Sequence, residues 1–194
     1  MATALEIVEL TDHNWPALED LFGPNGAVAG CWCTWFWQSN KELYANGSAG
    51  NREMMRGRVR SGVPVGLLAM SGPTAVGWVA VAPRPSYPRL DRSKITRSAD
   101  PDEDVADVWS VTCFYVRAGM RRKGIAGELL SAAVAFAARH GAVAVEGYPK
   151  ITDGARRSAG ELYHGTLTSF LAAGFQVVEQ RSPTRALVRL PLAE

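Results

Sequence analysis

The sequence predicts a single mixed α/β domain, and three observations carry that reading. Residues 107–116 are apolar or aromatic at almost every position, as in a strand covered on both faces. Residues 124–140 follow with a helical stripe: Ile125, Leu129, Ala133 and Phe136 share one face, with Ala132 and Ala137 beside it. Two hairpin patterns, 65–82 and 175–191, stand on either side of this pair. With 194 residues, 47% of them hydrophobic, the chain can bury a sizeable single core.

In chain order, residues 5–10 alternate apolar and acidic, as an edge strand does. Thr11 or Asp12 is placed to cap a helix over 14–22, with Pro16 in its first turn. Gly23-Pro24-Asn25-Gly26 ends it. Residues 30–37 are rich in tryptophan and cysteine. Residues 41–50 are polar, with a turn at Asn46-Gly47-Ser48, and Asn51 is placed to cap a helix to about residue 60. The runs 65–70 and 75–82 form a hairpin. Residues 83–104 make a long basic and proline-rich loop, expected in solvent. After the central strand and long helix, Gly141 is the stop, and 142–146 form a short buried strand. Residues 149–165 are polar, and Arg156-Arg157 within them is read as solvated. Thr166 caps a short helix to residue 173, and the last hairpin closes the chain.

Charge is nearly balanced, 21 Lys+Arg against 19 Asp+Glu, which disfavours nucleic-acid binding. Three cysteines and no basic, apolar leader suggest a reduced, cytoplasmic protein. No apolar run approaches the ~20 residues of a membrane span. Cys31-x-Cys33 with a distant Cys113 has no zinc-ligand spacing, so no metal is expected, and a tight buried turn beside Trp32 is the alternative.

The stretch most specific for function is residues 121–130, Arg-Arg-Lys-Gly-Ile-Ala-Gly-Glu-Leu-Leu. It joins the apolar strand to the long helix. Unpaired N–H groups and the positive end of the helix dipole make such a junction an anion site. Arg121, Arg122 and Lys123 add charge, and Gly124, Ala126 and Gly127 let a ligand approach the backbone. No Gly-Lys-Ser/Thr follows, so it is not a P-loop. The three early glycines and the acid of a dinucleotide fingerprint are missing.

Residues 114–130, with Arg121-x-x-Gly124-x-Ala126 at their centre, resemble motif A of the GNAT N-acetyltransferases. The element order and the ending Ala172-Ala173-Gly174-Phe175 fit that family too. Residues 30–37, 109–114 and 146–149 are similar to a bacterial subgroup of it. The resemblance implies one N-acetyltransferase domain over 1–194, a mostly antiparallel sheet flanked by helices, with splayed central strands forming a coenzyme A cleft. Acceptor-side helices would fall at about 12–60 and the CoA-binding core at about 105–140. It implies acetyl-CoA as donor. Backbone N–H groups of Arg122, Lys123, Gly124, Ile125, Ala126 and Gly127 would hold the pyrophosphate, helped by the charges of Arg121 and Lys123. Phe114, Tyr115 and Val116 would lie along the pantetheine arm, and a backbone N–H there would polarise the thioester oxygen.

The reaction so implied is direct attack of a primary amine on the thioester. The amine must shed a proton first, since its pKa is about 10. Glu146 is the favoured base, because a carboxylate ending an otherwise apolar strand needs a task or a partner. Asp107 is the weaker choice. Family members often carry a tyrosine where Phe170 stands, and phenylalanine cannot protonate the leaving thiolate. Either the thiolate leaves unaided or another residue serves, with Tyr163 and Tyr148 the candidates. Ser110 and Thr112 should point one way from the central strand and Cys113 the other, into packing. Trp32, Trp35 and Trp37, with His164, are read as acceptor-pocket residues, the tryptophans suiting an apolar or cationic acceptor. The expected partner is a small-molecule amine, not a membrane, and a homodimer is compatible. A protein, peptide or aminoacyl-tRNA acceptor, or an acyl-CoA-binding module without catalysis, are the alternatives.

Overall fold

The computed structural model describes residues 5–152, 154, 158 and 160–192. One seven-stranded sheet organises them: β1 (Leu5–Glu9), β2 (Gly66–Ser71), β3 (Thr74–Pro83), β4 (Val108–Val116), β5 (Ala144–Gly147), β6 (Gln176–Ser182) and β7 (Arg185–Pro191). Their order across the sheet is β1-β2-β3-β4-β5-β7-β6. Every pairing is antiparallel except β4 with β5. That single parallel junction needs a crossover, and the long helix α3 (Ile125–Arg139) supplies it. Helices α1 (Trp15–Phe22), α2 (Asn40–Arg60) and α4 (Leu167–Ala172) complete the fold.

Period-two alternation sorts the strand side chains into two cores. Trp78, Ala80 and Ala82 of β3 face one layer, where they meet Trp15, Leu18 and Phe22 of α1 and Met55 and Val59 of α2. Val79 and Val81 face the other, against Leu129, Ala133 and Phe136 of α3 and Phe170 of α4. Burying a side chain of this size contributes roughly 1.5–3 kcal/mol, so both sheet faces are strongly specified.

Two features of β4 make the site. It pairs with β5 only from Val108 to Val111, although it runs on to Val116. The two strands therefore part, as the sequence resemblance implies. Against β3, Val81 faces Val111 but Ala80 faces Cys113, so Thr112 is an extra residue, a β-bulge. The bulge shifts the alternation by one. Cys113 packs against the α1/α2 layer, the side Ser110 also faces, and not on the opposite face as strict alternation predicts.

Several local expectations change. Asn14 takes the position before α1, and its side chain turns away from the helix: Thr11 N donates to Oδ1 at 2.8 Å and Nδ2 donates to Glu9 O at 2.8 Å. Helix α2 begins eleven residues before Asn51, at a capping box made by Ser39 and Glu42. Gly47, at φ 57° and ψ −171°, breaks its path where the turn was expected. Asn51 caps nothing. It is 2% exposed, and its Nδ2 donates to Gly30 O (2.9 Å) and Leu43 O (3.2 Å) while Gln38 Nε2 donates to its Oδ1 (2.8 Å). It pins the Cys-x-Cys turn to the helix. In that turn Trp32 and Cys33 take left-handed φ values of 48° and 55°, so the chain reverses tightly there.

The basic loop is not uniformly solvated. Arg84, in the single helical turn Arg84–Ser86, is 2% exposed and pairs with Asp91 at 2.6 Å. Arg156 and Arg157 lie outside the described residues.

Candidate acetyl-donor site

The junction between β4 and α3 is built to expose backbone donors. Arg122 (φ 63°) and Gly124 (φ 81°) both adopt the left-handed conformation, the kind of backbone curl from which anion-binding concavities are made. Gly124 does so without steric cost. Arg121 Nε donates to Val116 O at 2.9 Å and ties the turn back to the strand. The N–H groups of Gly127 and Glu128 both return to Gly124 O, at 2.9 and 3.2 Å. In this turn the backbone donors left without a backbone acceptor are thus those of Arg121 to Ala126; Gly127 contributes space rather than a donor. Arg121, Arg122 and Lys123 are exposed around them.

This turn opens into a cavity of about 810 Å³. Arg121, Arg122, Gly124, Ile125, Ala126 and Gly127 line one end. Phe114 and Val116 line the β4 edge where the strands part, and Leu162, Gly165, Thr166 and Ser169 line the far wall. Tyr115 does not reach it. Its ring packs on the opposite layer against Phe22, 5.6 Å between centroids. Thr166 and Ser169 share a hydroxyl hydrogen bond of 2.8 Å within this wall. In the sequence Thr166 reads only as a helix cap, and Ser169 does not stand out. A polar pair at the start of a short helix carries no other signal.

The profile of the acetyltransferase (GNAT) family matches residues 29–157, well over half of the chain. The chain belongs to the GNAT acetyltransferase family. Solved structures with this fold include YncA of Salmonella typhimurium with its cofactor acetyl-CoA (16% identity, 98% of this chain and 95% of that one, TM-score 0.58). An N-acetyltransferase from Kribbella flavida is 19% identical over 97% of this chain and 98% of its own, TM-score 0.57. The PaiA N-acetyltransferase of Thermoplasma acidophilum, in complex with coenzyme A, is 14% identical over 97% and 99%, TM-score 0.55. No protein of curated function matches the sequence.

A second, smaller cavity of about 220 Å³ lies across one chain thickness from the first in this acetyltransferase. It is lined by Trp35, Phe36, Arg89, Ser93, Ile95, Thr96, Tyr163, His164 and Arg185. Residues 162–165 form the partition: Leu162 and Gly165 face the larger cavity, Tyr163 and His164 the smaller. Phe114 N donates to Tyr163 O at 2.6 Å, so the partition sits in the gap left by β5. The Phe114 N–H, one of the backbone donors at 114–116 among which a thioester partner is expected, is thereby engaged.

Of the three tryptophans, only Trp35 lines this cavity. Trp32 is 4% exposed, stacked on Trp15 with centroids 6.0 Å apart, and Trp37 is stacked on Tyr87 at 6.4 Å. Three rings spread over six residues of a tight turn cannot all face one side, and hydrophobic burial claimed two of them. His164 is 4% exposed, and its Nδ1 has no partner among the described residues. Burial, and then Arg185, push its pKa down to about 3, so the ring is neutral at physiological pH. Burial also raises the Tyr163 phenol.

Glu146 and Tyr148 line neither cavity. Glu146 is 1% exposed and Tyr148 fully buried. The Tyr148 hydroxyl lies 3.0 Å from Ser110 Oγ, receives a bond from Arg84 Nη1 at 3.1 Å and donates to Glu146 Oε2 at 3.3 Å. Arg84 Nη1 is 3.8 Å from the same carboxylate. Burial raises the Glu146 pKa, opposed by Arg84 and Arg189. The costly buried carboxylate has a partner, and direct access to a substrate amine is not what the geometry provides. Asp107 is exposed, at the far start of β4. Phe170, fully buried, fills the space over Gly147, where an added Cβ would come within 2.2 Å of its ring. Among the described residues no cluster of three or more metal-ligating side chains occurs, and no helix is long and apolar enough to cross a membrane.

Proposed function

We propose that this chain is an acetyl-CoA-dependent N-acetyltransferase acting on a primary amine of a small molecule. One observation carries the reading: the left-handed turn at Arg122 and Gly124, with backbone donors that have no backbone acceptor, lines the end of a cavity that continues along the parted edge of β4. A diphosphate fits the donor end by charge and hydrogen bonding. A slender chain fits the edge, where Phe114 and Val116 line the cavity. The second cavity, across residues 162–165, suits the acceptor, and its small volume favours a small molecule over a protein segment. Acceptor-side residues then come from about 12–60 together with the loop after β3, and the CoA-binding core from about 105–140.

In the step, the amine nitrogen bonds to the thioester carbon and the C–S bond breaks. The ammonium has lost one proton beforehand, the nitrogen loses a second, and one of these ends on the thiolate. Tyr163 is the one tyrosine candidate that lines a cavity, the smaller one; it is assigned as the acid, which requires thioester and amine to meet at its own segment, the partition 162–165. Glu146 and Tyr148 are assigned as positioning residues that hold Arg84 and, through it, the loop bearing Arg89. The engaged Phe114 N–H and the phenylalanine at 170 favour a second reading, a binding module without catalysis.

Thiol release from acetyl-CoA in the presence of an amine library separates the two. Acceptor-dependent release is expected, with Tyr163→Phe lowering kcat about tenfold or more at little cost in KM. Glu146→Gln should keep kcat within about threefold; a loss approaching the ~10²-fold contribution of a general base would return Glu146 to that role. Tight acetyl-CoA binding with no release for any amine would leave the module.

A further inference from the structure

Among the described residues, the lining of the smaller cavity carries positive charge and no negative charge. Arg89 and Arg185 both line it, half-buried, and none of its nine lining residues is acidic. Among the described residues neither arginine has a carboxylate partner within salt-bridge distance. Arg89 is held by neutral oxygens instead: its Nη1 donates to Trp35 O (3.3 Å) and Gln38 O (3.4 Å), and its Nη2 to Asn40 Oδ1 (2.5 Å). Arg185 Nη1 donates to Tyr148 O at 3.3 Å, and its guanidinium lies 6.0 Å from the Tyr163 ring. Both forks are therefore held in place by neutral groups, with their charge uncompensated.

Trp35 cannot serve as the cation-binding wall that its residue type suggests. The Arg89 guanidinium already lies over its ring, 3.7 Å from the centroid. A cationic acceptor would meet that arginine and Arg185 together. The buried His164 ring adds a polar atom without a partner to the same lining.

From this we infer that the acceptor is a small primary amine that also carries an anionic group, a carboxylate or a phosphate, held by Arg89 and Arg185. The inference rests on the acetyltransferase reading above and names the substrate class of its second cavity. The same arrangement aids the chemistry. Two fixed cations beside the anion disfavour an ammonium in the cavity, so the acceptor amine is drawn toward its neutral, nucleophilic form without a carboxylate base in the lining.

The test compares matched acceptors with the full chain and acetyl-CoA, following thiol release: α-amino acids against their carboxamides, and aminoalkyl phosphates against the parent amino alcohols. The anionic member of at least one series should have a kcat/KM about 10- to 100-fold higher, the range for charge-assisted hydrogen bonds. The series showing the preference identifies the anion. Arg185→Gln should shrink it to within about threefold, and Arg185→Lys should keep most of it, with acetyl-CoA affinity by calorimetry unchanged in both. Because Arg185→Lys retains the charge, a folding defect common to any replacement separates from loss of recognition. Equal or better turnover of the carboxamides and the amino alcohols overturns the inference and leaves the acetyltransferase reading standing. Acetyl-CoA binding with no turnover of any amine removes that reading, and the acceptor assignment with it.

Discussion

Acid should destabilise this protein in a way that depends on one imidazole. His164 is enclosed by Phe36, Tyr148 and Tyr163, with Arg185 nearby, and its pKa falls from 6.5 to about 3. A base whose folded pKa is depressed stays neutral in the native state while the unfolded chain takes up a proton. Stability is therefore full well above pH 6.5 and is lost as pH falls through that value toward about 3. With an unfolded pKa of about 6.5 the loss is about 0.2 kcal/mol at pH 7 and about 2.1 kcal/mol at pH 5, a difference of about 1.9 kcal/mol. Glu146 works in the opposite direction, since its raised pKa favours proton uptake by the folded state. It is present in both proteins when wild type is compared with His164→Gln. Urea unfolding followed by tryptophan fluorescence at pH 7, 6 and 5 gives the two curves. Wild type should lose about 1.9 kcal/mol more than the variant over that range. Parallel curves within about 0.5 kcal/mol would show that the imidazole protonates in the folded protein as readily as in the unfolded chain, and the argument from burial would fail.

Three further outcomes follow from the geometry. Gly124→Ala places a Cβ on a residue at φ 81°, which costs about 1–2 kcal/mol and re-aims the neighbouring N–H groups; titration with acetyl-CoA should show affinity falling about tenfold while the fold by circular dichroism is kept. Phe170→Ala empties the space between Phe114, Phe175 and Gly147 and should cost about 3–5 kcal/mol in chemical denaturation. Asn51→Ala leaves Gly30 O, Leu43 O and the Gln38 amide without their buried partner. A loss of about 2–4 kcal/mol is expected, and a cost under 1 kcal/mol would mean that the turn is held by other contacts.

The acid–base candidates show where sequence reasoning meets its limit. A carboxylate at the end of an apolar strand signals that something compensates it, and Glu146 is indeed compensated. The compensating group is Arg84, distant in sequence inside a loop that reads as solvated. Composition cannot show that pairing, because it depends on how the loop folds back over β5. Tyr163 and Tyr148 looked equivalent in the chain. The partition at 162–165 put one beside a cavity and the other beneath it.

Local physics was legible from the start. Periodicity gave the strands and the long helix, and the basic turn before that helix marked the anion cradle and the family, because hydrophobic alternation and helix-end donors act over a few residues. The turn at Gly47, the stop at Gly141 and the cap at Thr166 were local as well. Only the tertiary structure decided the bulge at Thr112, which of three tryptophans meets a cavity, the buried partner of Glu146, and the two arginines that give the second cavity its charge. Each of these depends on residues far apart in the chain competing for the same space, and burial and charge pairing settle that competition only once the sheet is assembled.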